Sequence, residues 1–107
     1  MIRSKTVDPI LLRFKHALME LYGKRLDRVV LYGSRARGDA QTGSDFDVAV
    51  FLHDLPDAWR ERHRLADLRV DFLDMTGVFF DAKPYEMTDY ANRTPLMHEI
   101  RRDGRVI

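Results

Sequence analysis

The chain contains no cysteine and no long run of apolar residues. Without cysteine it can form neither a disulfide nor a thiolate metal site, which fits a reducing compartment. No window approaches the roughly 20 apolar residues of a membrane span. We therefore expect a cytoplasmic protein that does not associate with membranes.

An excess of either charge is also lacking. The 107 residues include 18 Lys and Arg against 17 Asp and Glu, for a formal net charge of +1. Global charge thus gives no argument for nucleic acid, and we predict no direct DNA binding. Internal repeats, low-complexity tracts and linkers are absent too, so the length predicts one domain over 1–107 with a single modest core.

Apolar periodicity and turn residues divide the chain into alternating helices and strands. Asp8 and Pro9 are typical of a helix start, and Gly23 of a helix end. The predicted elements, in chain order, are a helix over 9–22, a strand over 28–32, a short helix from Ser34 through Arg37, a strand over 46–52, a helix over 57–76, a strand over 78–84 and a helix from Thr94-Pro95 to Gly104. The order αβαβαβα predicts an α/β fold with a three-stranded sheet covered by helices.

Gly33-Ser34 closes the first predicted strand, and Asp45 and Asp47 open the second after ten intervening residues. If both ends belong to one site, the two strands are antiparallel neighbours. We expect Ser34 to cap the short helix, whose first backbone N–H groups and the Ser34 hydroxyl would then bind phosphate. Gly33 lacks the side chain that would keep a phosphate at a distance.

Asp45 and Asp47 lie two apart, so on a strand their carboxylates point the same way and repel unless a cation or proton compensates them. Carboxylate oxygens suit Mg²⁺, and two Mg²⁺ ions roughly 3.5 to 4 Å apart can clamp the attacking and leaving oxygens of nucleotidyl transfer. Asp81 is the candidate third carboxylate because it interrupts the apolar third strand. The alternative is that these residues have structural roles only. Gly33-Ser34 would then be a helix start after a strand, and Asp45 and Asp47 would be a turn cap and an exposed strand face.

The pattern resembles the nucleotidyltransferases of the DNA polymerase β superfamily, whose signature Gly-Ser, ten residues, Asp-x-Asp is matched by Gly33, Ser34, Asp45 and Asp47. RARGDAQTGSDFDVAV and the tail PLMHEIRRDG resemble the minimal nucleotidyltransferases, which are commonly antitoxins paired with a HEPN ribonuclease toxin. The resemblance implies a mixed sheet, Asp45 and Asp47 as metal ligands, and a third acidic residue on a later strand. We assign that role to Asp81, and interpret the nearby Asp71 and Asp74 as part of the long helix.

The function implied by this resemblance is Mg²⁺-dependent transfer of AMP from ATP to a tyrosine hydroxyl of the HEPN toxin, with which the chain would form a hetero-oligomer. Arg35 and Arg37 are candidates for contacting phosphate or an acidic partner surface, or are solvated positions on a short helix. Two alternatives stay open: an inactive antitoxin that acts by stoichiometric binding, and a nucleotidyltransferase that modifies a small molecule such as an antibiotic. The expected absence of an acceptor-binding domain favours a partner protein over the small molecule.

Other conspicuous side chains carry weaker predictions. The four histidines have no ligand spacing, so we predict no histidine metal site. Residues 60–64 alternate basic and acidic side chains and are interpreted as a solvated helix face, with toxin binding as the alternative. Trp59 is interpreted as core or interface packing.

Overall fold

The computed structural model describes residues 8–38 and 45–107. In chain order, the helices and strands of this part are α1 (Pro9–Tyr22), β1 (Leu26–Tyr32), α2 (Gly33–Arg37), β2 (Phe46–Leu52), α3 (Ala58–Thr76), β3 (Phe80–Glu86), α4 (Pro95–Asp103) and β4 (Arg105–Val106). Two short 3-10 helices follow α1 and β3, at Gly23–Arg25 and Met87–Ala91. The predicted order αβαβαβα is confirmed, with one strand added after it.

The helices α1, α3 and α4 begin where the sequence places capping residues. The carboxylate of Asp8 accepts from the N–H groups of Ile10 and Leu11. Thr94 caps α4 through its hydroxyl, and Asp57 caps α3 by accepting from the Arg60 N–H at 3.0 Å. These side chains satisfy N–H groups that have no partner inside a helix.

The sheet is mixed and has the order β3-β2-β1-β4. β1 pairs with β2 in the antiparallel sense, as predicted. β3 runs parallel to β2, which is possible because α3 connects them. β4 pairs with Val30 and Leu31 at the other edge, so the prediction of three strands is one short.

Three predicted boundaries are wrong. β1 begins at Leu26 rather than Arg28, because Leu26 still pairs with Leu52 across an irregular step. β3 spans Phe80–Glu86 rather than 78–84, since its seven residues match the seven of β2 one for one. α2 begins at Gly33, so Ser34 lies inside the helix and makes no cap.

The two faces of the sheet bury different clusters. Alternation along the strands sends Val29, Val48 and Phe80 to the larger cluster, under α1 and α3. There the rings of Phe14 and Phe80 stack with their centroids 4.1 Å apart. Val30 and Ala49 point to the smaller cluster, under α4. Within the described residues, no helix is long and apolar enough to cross a membrane.

Candidate active site

Asp47 lies where three strands meet. It is the second residue of β2, opposite Tyr32 at the end of β1 and opposite Asp81 near the start of β3. Neighbouring strands lie about 4.8 Å apart, and residues in register project from the same face. The structure therefore brings together Asp47 and Asp81, two carboxylates far apart in the chain, on the face covered by α4.

Gly33 approaches this pair with its backbone. Its φ is +75°, in the region that favours glycine. A Cβ built at Gly33 would collide with Oδ2 of Asp47. Glycine is therefore required at position 33 because Asp47 lies against it. From the sequence, glycine was expected there only to let a phosphate approach.

The other two signature residues are Ser34 and Asp45. Ser34 is half-buried in the second position of α2, next to Gly33. Asp45 is exposed and directly precedes β2. Its charge acts on Asp47, which places it beside the same site. Residues 39–44, which include most of the predicted turn-rich segment, lie outside the described residues.

Electrostatics at this site disfavour ionisation of Asp47. Burial raises the pKa of the Asp47 carboxyl, and the charges of Asp81 and Asp45 raise that pKa further. Lys83 acts in the opposite sense, and its Nζ lies 3.8 Å from Oδ2 of Asp81. Three carboxylates around one buried position attract a proton or a cation.

Arg35 and Arg37, the candidate phosphate contacts, point to different parts of the molecule. The guanidinium of Arg35 lies over the ring of Phe46, 4.3 Å from its centroid. Nη1 of Arg37 lies 3.5 Å from Oε2 of Glu99 on α4. In this structure Arg37 therefore helps to join α2 to α4.

Sequence reasoning missed two charged residues near the site, Lys83 and Glu99. The i, i+2 spacing of Asp81 and Lys83 on one strand was a signal that could have been found. Glu99 raises the pKa of Asp47, and it reaches the site only because α4 packs on the sheet. No local pattern marks that contact.

The donors at the site fit a hard divalent cation. Carboxylate oxygens are the ligands that Mg²⁺ prefers. The pKa of Asp47 is raised by burial first and then by the negative charges of Asp81 and Asp45, which a cation would neutralise. In the part of the chain that the structure describes, no three acidic or histidine side chains are already gathered closely enough to hold an ion. The fit therefore rests on the Asp47 and Asp81 pair, with Asp45 beside it.

A small mixed sheet that presents such carboxylates beside a glycine has the form of a site for phosphoryl or nucleotidyl transfer. The family model described as "Polymerase beta, Nucleotidyltransferase" matches residues 17–107. The chain belongs to this nucleotidyltransferase family, as its resemblance predicted.

Two proteins of Methanocaldococcus jannaschii that are named as protein adenylyltransferases are similar in sequence. One is 33% identical over 76 residues, which cover 70% of this chain and 52% of the relative. The other is 40% identical over 47 residues, which cover 44% of this chain and 48% of the relative. The matched part of the chain spans about half the length of these relatives.

Three solved structures share the fold. A crystal structure of a toxin-antitoxin with AMP-PNP has a TM-score of 0.60 at 19% identity, over 88% of this chain and 69% of that chain. Two mutants of the toxin-antitoxin MntA-HpeT have TM-scores of 0.59 and 0.60 at 17% and 18% identity, over 88% and 95% of this chain and 69% and 72% of theirs. At these identities the likeness establishes the fold alone, a polymerase β-like nucleotidyltransferase fold.

Proposed function

We propose that this chain transfers AMP from ATP to a hydroxyl of a partner protein, with Mg²⁺ as cofactor. The observation that carries the proposal is the register of Asp47 with Asp81 beside Gly33. It gives two carboxylates on one face, next to a backbone position that carries no side chain. The names of the two archaeal relatives support adenylyl transfer to a protein.

Each site residue has a role in this mechanism. Asp47 and Asp81 would hold the metal together with Asp45, which is exposed and directly precedes β2. Bound Mg²⁺ neutralises the charge on the phosphates and on the attacking oxygen. The backbone at Gly33 and the hydroxyl of Ser34 bind the β and γ phosphates.

Asp81 also acts as the general base for the acceptor hydroxyl. Its carboxylate accepts the proton of the acceptor hydroxyl, whose oxygen attacks the α phosphorus in line and displaces pyrophosphate. Nζ of Lys83 lies 3.8 Å from Oδ2 of Asp81, on the same strand. Arg35 and Arg37 contact phosphate or partner only after moving from the positions described above.

The proposed acceptor is a tyrosine of a HEPN ribonuclease toxin, and the modification silences the toxin. This part is supported by the resemblance to minimal nucleotidyltransferases and by the structural relatives, which are toxin-antitoxin proteins. A hetero-oligomer of the two proteins would present the tyrosine to Asp81 and the bound nucleotide.

The test is the intact mass of the candidate HEPN partner after co-expression with this chain. We expect a gain of one or more AMP masses with the wild type and none with a variant carrying Asp45→Asn and Asp47→Asn. Asp54→Asn is the matched control, since Asp54 is exposed and lies beyond the opposite end of β2. A variant that still transfers AMP at the wild-type rate would refute the assignment of the carboxylates.

Two other results would assign a different function to the chain. A partner that is bound and inhibited but unmodified would identify a stoichiometric antitoxin. Transfer of labelled nucleotide to hydroxylated antibiotics and not to the partner would identify a small-molecule enzyme. Running the reaction with ATP, GTP, CTP and UTP separately determines which nucleotide is used.

A further inference from the structure

Helix α3 has two apolar faces, and only one of them packs on the sheet. The packed face carries Glu61, Leu65, Leu68 and Phe72. The opposite face carries a second series, two residues out of step with the first, which we call the outer stripe: Trp59, His63, Ala66, Val70 and Leu73. A two-residue offset on a helix is about 200°, so the outer stripe points away from the core.

The outer stripe is regularly spaced and exposed except at Ala66, which is half-buried. The exposed fractions of Trp59, Val70 and Leu73 are 69%, 56% and 42%. Its alternating spacing of four and three residues is that of helices that pack along one another. The indole of Trp59 lies edge-on to the ring of His63, with centroids 4.5 Å apart, so these two members of the stripe contact each other.

The charged side chains of α3 are distributed in the direction that the helix dipole disfavours, with basic residues near the N-terminus and acidic residues near the C-terminus. Arg60, Arg62 and Arg64 lie in the first half, whose one acidic residue, Glu61, is buried. Asp67, Asp71 and Asp74 lie in the second half, whose one basic residue, Arg69, donates to the carbonyl of Ala82. Basic groups are favourable near a helix C-terminus and acidic groups near an N-terminus. Something other than the stability of the isolated helix therefore accounts for this distribution, and a second helix of opposite polarity would account for it.

We propose that the outer stripe is a homodimer interface in which α3 packs antiparallel against α3 of a second copy. The basic half of each helix then faces the acidic half of the other, whereas parallel copies would place like charges together. One surface that complements itself about a twofold axis is the usual form of a dimer interface.

Ala66 fixes where the helices cross. It lies seven residues from Trp59 and seven from Leu73, and its small side chain permits close approach at the centre. Trp59 of one copy then packs against Val70 and Leu73 of the other. Asp47 and Asp81 project from the opposite face of the sheet, so dimerisation leaves the candidate active site accessible.

The first experiment is sedimentation velocity of the full chain over a range of micromolar concentrations. We expect a species of twice 12.6 kDa that dissociates on dilution. Trp59→Glu together with Val70→Glu should raise the dimer dissociation constant at least roughly tenfold, because a buried tryptophan often dominates an interface. Met19→Glu is the control, an exposed apolar residue on α1 outside the stripe, and should leave the constant unchanged.

Charge exchange tests the antiparallel arrangement. We expect Arg60→Asp with Arg62→Asp to weaken self-association, and Asp71→Arg with Asp74→Arg to do the same. A mixture of the two variants should restore a dimer that contains one chain of each. Failure of the mixture to restore it would overturn the pairing.

Cysteine cross-linking gives an independent test, since the chain has no cysteine of its own. Oxidising a mixture of His63→Cys and Val70→Cys chains should give more cross-linked product than oxidising either variant alone. Rapid cross-linking of His63→Cys alone would indicate parallel helices and contradict the proposal.

The oligomeric state is read without any assay of AMP transfer, so failure here and failure of the proposed function are distinguishable. A monomer at every concentration would overturn the proposal, as would a dimer that the stripe variants leave intact. A monomeric chain that loses its toxin partner on Trp59→Glu would assign the stripe to that partner instead.

Discussion

Among single residues, Gly33 offers the sharpest test of the proposed site, because it is the absence of a Cβ that lets Asp47 lie against it. In Gly33→Ala the new Cβ would collide with Oδ2 of Asp47, at a φ of +75° that alanine adopts poorly. We expect a loss of roughly 1–2 kcal/mol in the free energy of unfolding from the strained backbone. We also expect roughly a hundredfold loss of AMP transfer, because the carboxylate that we propose as a metal ligand is displaced.

Gly77→Ala is a matched control for that experiment. Gly77 has a φ of +74°, but a Cβ there would meet no atom within 4 Å. It should lose similar stability in urea unfolding and keep its rate of AMP transfer. Equal losses of activity in both variants would mean that backbone strain, and not the contact with Asp47, explains the effect.

The raised pKa of Asp47 predicts how stability depends on pH when no divalent cation is present. The folded state holds a proton on Asp47 at pH values where the unfolded state has lost it, so the unfolding free energy contributed by this group falls as pH rises through the folded pKa. Asp47→Asn removes this loss. The unfolding free energy of Asp47→Asn minus that of the wild type, measured in chelator, should therefore increase from about pH 4 to about pH 7.

Asp54→Asn serves as the control for the pH series, because Asp54 lies outside the carboxylate group and is exposed. Its difference from the wild type should not follow the Asp47→Asn curve. A flat or falling difference for Asp47→Asn would contradict the electrostatic account of the site.

At the scale of elements, α3 is tied to the turn after α1 through a buried carboxylate. Glu61 is 3% exposed, and its Oε2 lies 3.2 Å from Nη1 of Arg25, while Oε1 lies 3.6 Å from Nη1 of Arg64. The interpretation of residues 60–64 as a solvated face is therefore wrong for Glu61. We expect Glu61→Gln to lower the unfolding free energy by roughly 1–3 kcal/mol, since a buried charge-assisted pair is lost.

Asp54 provides the comparison, because it contacts the same arginine at 3.1 Å with a side chain that is 65% exposed. Asp54→Asn should change the unfolding free energy by less than about 0.5 kcal/mol, as is usual for an exposed pair. Both values come from urea titrations under identical conditions. A loss as large for Asp54→Asn as for Glu61→Gln would show that burial of the carboxylate is not the cause.

The edge strand β3 explains why we place association on a helix rather than on the sheet. Nη1 of Arg69 donates to the carbonyl of Ala82 at 3.4 Å, and Oδ2 of Asp89 accepts from the N–H of Glu86 at 3.1 Å. Pro84 has no N–H to offer a further strand. These features block the pairing of a second chain along β3.

The sequence predicted the elements best where one residue marks a boundary, as Asp8 and Asp57 do. It missed β4, because two residues carry no periodicity and their pairing with Val30 and Leu31 is a long-range contact. It also left the place of Trp59 open, since both faces of α3 have helical apolar spacing and spacing alone does not say which face packs. The structure places Trp59 outside the core.

The candidate site likewise has a part that the sequence predicted and a part that it did not. The proximity of Gly33 and Asp47 followed from a local motif and an antiparallel pair of strands. The end of α3 at Thr76 was predicted correctly. The register of Asp47 with Asp81 also depends on where β3 begins, which was predicted two residues too early. Glu99 reaches the site through the packing of α4, for which no spacing in the chain gives a signal.

Considered as a whole, the molecule uses the two faces of its sheet differently. One face presents Asp47 and Asp81 with α2 and α4 around them, and the other is covered by α1 and α3. The proposed dimer interface on α3 and the proposed metal site at the carboxylates thus lie on opposite sides of the sheet. We therefore expect variants of the outer stripe to change assembly without changing how the folded chain responds to Mg²⁺.

That response is the final prediction. Free Mg²⁺ at ten times its dissociation constant should stabilise the wild type by about 1.4 kcal/mol, because the ion binds only the folded arrangement of carboxylates. For a domain of this size the melting temperature should rise by about 5–10 °C. The measurement is a thermal melt in Mg²⁺ against a melt in KCl of equal ionic strength. Asp45→Asn with Asp47→Asn should abolish the difference and Asp54→Asn should preserve it, whereas an equal Mg²⁺ effect in all three proteins would place the ion elsewhere.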